Sequence, residues 1–102
     1  MINKEILGMK IYTIDDEKYN TFLIEQLLEE VGFDNTMQFN KGADLFEQLE
    51  NEELPDLIIS DILMPKLSGY DLIKKVKSNP DWKHIPIIII TAVSVDVTDH
   101  LK

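Results

Sequence analysis

The sequence contains no cysteine, so neither a disulfide framework nor a thiolate metal site is open to it. It is also poor in positive charge: 10 basic residues stand against 19 acidic ones, giving a formal charge of -9 at pH 7. Phosphate contacts need a basic face, which excludes direct nucleic-acid binding by this domain. No apolar run has the length to cross a bilayer, and the opening "MINKEILGMK" lacks the sustained apolar core of a secretion signal. The expectation is a cytoplasmic protein with no membrane partner. Repeats and low-complexity segments are absent as well. The 102 residues, 44% of them hydrophobic, suffice for one domain with a single core.

Within these bounds the chain alternates regularly. Met9 to Ile14, "MKIYTI", reads as a strand that "DDE" ends. From Lys18 to Val31 the apolar residues Tyr19, Phe22, Leu23, Leu27 and Val31 recur at helical spacing, and Gly32 stands where a helix favours a left-handed residue. Thr36 to Phe39 is a second strand, after which Asn40 is expected to cap a helix whose buried side carries Leu45, Phe46 and Leu49. A third strand begins after Pro55 and runs through "LIIS". Ser68 and Asp71 have capping-box spacing ahead of a helix with Leu72, Ile73 and Val76 on one side. Lys74, Lys75 and Lys77 near its end read as solvated charge that suits the helix dipole. "SNPDWKHIP" is a loop, and Ile87 to Ile90 reads as a strand buried on both faces, with a last helix from about Ser94. Strands alternating with helices predict an α/β fold, a doubly wound parallel sheet with helices on both sides.

In open parallel sheets, ligands bind beyond the carboxyl ends of the strands. Here those ends carry Asp15 and Asp16 after the first strand, Asp61 after the third and Thr91 after the fourth. If the first and third strands are neighbours, three carboxylates meet, and without a counterion they repel and raise one another's pKa. A hard divalent cation removes that difficulty, and Mg²⁺ fits best because it accepts a few carboxylates, keeps waters and leaves room for phosphate oxygens. Singly, Asp15 and Asp16 read equally well as helix caps, Asp61 as a turn residue before Pro65, and Thr91 as a strand-end hydroxyl. Together they would need four coincidences along one edge.

The stretches "IDDE" (14–17), "SDILMPKLSG" (60–69) and "PIIIITA" (86–92) resemble the receiver domain of two-component response regulators. The similarity runs from about Lys10 to the C-terminus, with residues 1–8 as an N-terminal extension and 9–102 as the receiver. The resemblance implies a flavodoxin-like fold with strand order 2-1-3-4. It also implies that Asp61 is the phosphoacceptor, loaded by a sensor histidine kinase or phosphotransfer protein, in a self-phosphorylating module rather than a turnover enzyme. Asp16 and Asp61 would hold Mg²⁺, with Asp15 acting largely through water and the Leu63 carbonyl as a further ligand. Thr91 would hydrogen-bond the phosphoryl oxygen, and Gly69 would let the loop pack tightly. The apolar Ile62, Leu63 and Met64 would restrict water around Asp61.

Two departures from the family pattern stand out. Ser68 replaces the usual acidic residue before the loop glycine, and the sequence ends at Lys102 before the family's fifth strand, with its lysine and aromatic switch residue, and its fifth helix. The expectations are a piece of a longer protein with a C-terminal output domain, or a domain that completes itself as a homodimer. A degenerate receiver that only binds partners is the alternative function. A flavin-binding module is disfavoured because it wants a hydroxyl- and glycine-rich phosphate loop after the first strand, where "DDEK" would repel phosphate unless metal intervened. A haloacid-dehalogenase phosphatase is disfavoured because Leu63 stands where its second acid belongs.

Overall fold

The computed structural model describes residues 4–51, 53–61 and 67–90. Its elements, in chain order, are α1 (Lys4–Leu7), β1 (Ile11–Ile14), α2 (Lys18–Val31), β2 (Thr36–Phe39), α3 (Gly42–Glu50), β3 (Leu57–Asp61), α4 (Gly69–Ser78) and β4 (Ile87–Ile90). The four strands form one parallel sheet in the order β2-β1-β3-β4. The predicted alternation and strand order are therefore present. The expected last helix lies outside the described residues.

One face of the sheet carries the core. Tyr12 of β1 is paired in register with Ile58 of β3, and Ile58 with Ile87 of β4. Onto this row pack Leu45, Phe46 and Leu49 of α3 and Leu72 and Val76 of α4, with Trp82 and Ile85 of the following loop. The loop read as plain connection thus supplies two core residues. Trp82 stacks on Phe46 at 6.1 Å between ring centroids, and the Lys75 ammonium sits 4.0 Å above the other partner of that pair, the Phe46 ring. Lys77 donates to the carbonyls of Lys83 and Ile85, at 2.9 and 2.7 Å. These two lysines are engaged in tertiary contacts, which corrects the reading of the cluster as solvated charge.

The opposite face is covered by α2, since Thr36 on that side hydrogen-bonds Glu25. The bounds of α2 and the left-handed Gly32 at its end (φ 117°) follow the sequence reading. Its orientation does not. Thr21 is fully buried and Ile24, Glu25 and Leu28 are half-buried, whereas Tyr19, Phe22, Leu23, Leu27 and Val31 are exposed. The helix turns the small Thr21 inward because β1 and β2 lie close beneath it, and the larger stripe faces away from the sheet. The reading of β4 as buried on both faces is corrected for a related reason. Ile87 and Ile89 are half-buried toward the core, while Ile88 and Ile90, on the α2 side of the sheet, are 50% and 42% exposed.

One boundary also shifts. β1 begins at Ile11 rather than Met9, because the Met9 amide donates to Ile6 in the turn after α1. Residues 4–7 of the N-terminal extension form α1, and its Leu7 lies beside Gly32.

Candidate metal and phosphoacceptor site

Asp15 continues β1 by one residue: its amide donates to the Phe39 carbonyl at the end of β2, at 3.1 Å. Asp61 is the last residue of β3, and the residue before it, Ser60, is paired in register with Ile14. The parallel register therefore sets Asp15 and Asp61 side by side at the carboxyl edge of two adjacent strands. Asp16 follows at the start of the turn into α2. Each of the three offers a carboxylate oxygen, and these oxygens lie within 4.8 Å of one another. The convergence expected from the sequence is realised for all three aspartates. Thr91 and Leu63, with the flanking Ile62 and Met64, lie outside the described residues.

The three carboxylates differ in setting. Asp15 is buried, Asp61 half-buried and Asp16 exposed. Burial pushes the Asp15 carboxyl above its ordinary pKa, and the nearby Asp61 and Asp16 push the same way. Hydrogen bonds from the Glu17 amide and the Asn20 side chain oppose the shift. Among the described residues no lysine forms an ion pair with any of the three. A cluster of oxygen donors this close, one of them buried and none paired with a cation among the described residues, suits a small hard divalent ion that takes few carboxylates and retains water.

The surroundings of the cluster contain residues the sequence reading assigned otherwise or passed over. Asn40 does not cap α3. The N-cap position is Lys41, which makes no side-chain cap, and the Asn40 amide instead donates to the Asp15 carbonyl (2.8 Å) and the Thr21 hydroxyl (3.2 Å). Nothing in the local sequence separates the two roles, because an asparagine after a strand satisfies either. The Ser68–Asp71 capping box is present as expected: the Asp71 amide donates to Ser68 Oγ at 3.1 Å and the Ser68 amide to Asp71 Oδ2 at 3.4 Å. It fixes the start of α4, with Gly69 buried at its first position.

The family model of the response regulator receiver domain matches residues 11–101. The chain belongs to this family. Among receiver-domain relatives, the chemotaxis protein CheY1 of Helicobacter pylori is 34% identical over 83 residues, covering 81% of this chain and 67% of its own length. Chemotaxis protein CheY-3 of Vibrio cholerae is 32% identical over 85 residues, 83% of this chain and 65% of its own. The polar-differentiation response regulator DivK of Brucella anthropi is 32% identical, with 83% and 68% covered. The receiver chain thus spans about two thirds of the length of these curated relatives. Solved structures agree in fold. The signal receiver domain of a signal transduction histidine kinase from Syntrophus aciditrophicus has a TM-score of 0.74 at 33% identity, over 93% of this chain and 72% of that one. A response regulator receiver domain protein from Clostridium thermocellum has a TM-score of 0.70 at 30% identity, over 91% and 74%.

Proposed function

We propose that the receiver, read as residues 9–102, accepts a phosphoryl group on Asp61 from a phosphohistidine of a sensor histidine kinase or phosphotransfer protein in the cytoplasm. The observation that carries this reading is the set of three carboxylate oxygens within 4.8 Å at the carboxyl edge of two adjacent parallel strands. An Asp61 oxygen attacks the phosphorus in line, an acyl phosphate forms, and the P–N bond to the donor histidine breaks with its electron pair going to the ring. Mg²⁺, held by Asp16 and Asp61 with Asp15 largely through water, would neutralise the charge shared by the carboxylates and the incoming phosphoryl oxygens. The chain itself positions the nucleophile: β3 pairing with β1 and β4 fixes the Asp61 backbone. The module stores one phosphoryl group and changes partners with it, which is signalling rather than turnover.

The test is intact-mass measurement after incubation with a small-molecule phosphodonor and Mg²⁺. Wild type is expected to gain one phosphoryl mass and Asp61→Asn none. Equal labelling of the two proteins would refute Asp61 as the acceptor, and no labelling of wild type would favour a receiver that only binds partners.

A further inference from the structure

We infer that the turn between β2 and α3, from Asn40 to Gly42, positions the acidic cluster without ligating anything itself. The inference rests on the Mg²⁺-binding reading above and extends it to residues outside the cluster.

Both polar groups of the Asp15 backbone are held by the end of β2. Its amide donates to the Phe39 carbonyl at 3.1 Å, and its carbonyl accepts from Asn40 Nδ2 at 2.8 Å. That carbonyl belongs to the peptide joining Asp15 to Asp16, so Asn40 sets the plane from which both carboxylates depart. The same Asn40 amide reaches Thr21 Oγ1 at 3.2 Å, and the Thr21 hydroxyl donates to the Lys18 carbonyl at 2.9 Å. Thr21 is fully buried. The first turn of α2 has no side-chain cap of its own, because Glu17 at the N-cap position makes none. Beside the bond from the Glu17 amide to the Asp15 carboxylate, at 2.9 Å, Asn40 adds a restraint from the end of the neighbouring strand, tying the turn that carries Asp15 and Asp16 to β2.

The other end of the same turn meets the segment that leads from Asp61 to α4. A Cβ placed on Gly42 would fall 2.6 Å from Leu67 Cδ2 and 3.6 Å from Leu67 Cβ and Cγ. Leu67 is half-buried and packed against the core. It yields to a methyl group by drawing its own tip out of that contact, which loosens the packing of the residue just ahead of Ser68. One short turn therefore holds the Asp15 backbone directly and meets the Leu67 side chain ahead of α4. Residues that orient metal ligands from outside the coordination sphere commonly change metal affinity by about 10- to 100-fold when removed.

The experiment is an NMR titration of the protein with Mg²⁺ alone, followed by amide resonances, alongside metal-free melting curves. The proteins are wild type, Asn40→Ala, Gly42→Ala and the double variant Gly42→Ala with Leu67→Ala. Asn40→Ala is expected to weaken Mg²⁺ binding about tenfold. Gly42→Ala is expected to weaken it as well, and the added Leu67→Ala to return much of the affinity by vacating the space the methyl needs. A turn with a purely structural role would lower melting temperature and leave the Mg²⁺ affinity of the folded protein at the wild-type value. Folded variants with Kd within twofold of wild type would overturn the inference. If Asn40→Ala does not fold, the Gly42 pair decides by the presence or absence of rescue. If wild type shows no Mg²⁺-dependent shift that Asp61→Asn removes, the metal reading itself falls, and the positioning role with it.

Discussion

The two ends of β1 treat carboxylates in opposite ways. At the amino end, Asp56 accepts from the Lys10 amide at 2.9 Å, and the Glu53 carboxylate meets the Lys10 ammonium at 3.3 Å. Each negative charge there has a donor from the chain, and the Tyr12 hydroxyl adds a bond to the Glu53 carbonyl at 2.5 Å. At the carboxyl end, Asp15, Asp16 and Asp61 face one another with no ion pair among the described residues. One strand thus joins an end where charge is paired within the chain to an end where three carboxylates converge unpaired among the described residues. The same residue type serves stability in one place and works against it in the other.

The largest separation between the two ends should come from Asp16→Asn. It is expected to abolish Mg²⁺-dependent phosphoryl loading, while the melting temperature in metal-free buffer stays level or rises because a repulsion is removed. A clear fall in metal-free melting temperature would mean that the carboxyl end is internally compensated after all.

Next in size is an opposition in pH dependence. The Asp15 carboxyl is raised, so the folded state holds its proton to a higher pH than the unfolded chain does. Its cost to folding is therefore fully present above the folded pKa. It eases as pH falls through that value and is gone below the unfolded one. Metal binding needs the ionised group and runs the other way, weakening over the same interval. Measured as the difference between wild type and Asp15→Asn, metal-free stability should rise on mild acidification as Mg²⁺ affinity declines. Parallel changes in the two quantities would contradict the assignment.

At the amino end the effects are on stability alone. Asp56→Ala should cost about 1 kcal/mol through the lost bond to the Lys10 amide, read by chemical denaturation, with Mg²⁺ affinity unchanged. Lys10→Met should cost least, a few tenths of a kcal/mol, since the pair with Glu53 is largely solvated. A loss of Mg²⁺ affinity in either variant would show that the two ends are coupled through β1.

Much of this contrast was legible in the sequence. The three aspartates follow apolar strand cores directly, and a parallel sheet leaves such residues only one edge to share. The extent of α2 was legible because Gly32 ends it in a conformation that favours glycine. The side of α2 that meets the sheet was not, since Tyr19, Phe22 and Leu23 outweigh Thr21 in any hydrophobic count, and close approach to β1 and β2 favours the smaller residue. β4 misled for a similar reason: four isoleucines look the same whether or not a layer covers Ile88 and Ile90. The partner of Asn40 is not legible in the sequence, because the Asp15 carbonyl that it meets is distant along the chain and only the strand order brings it near.

The stack of Trp82 on Phe46 has a practical consequence for all these measurements. Trp82 is the only tryptophan in the chain, and it is buried in the apolar core that it shares with α3 and α4, stacked on Phe46. Its fluorescence is governed by whether that core is closed to water. The emission therefore counts folded molecules, and it offers an optical channel for stability that can be read in the same cuvette while a separate signal follows the cation.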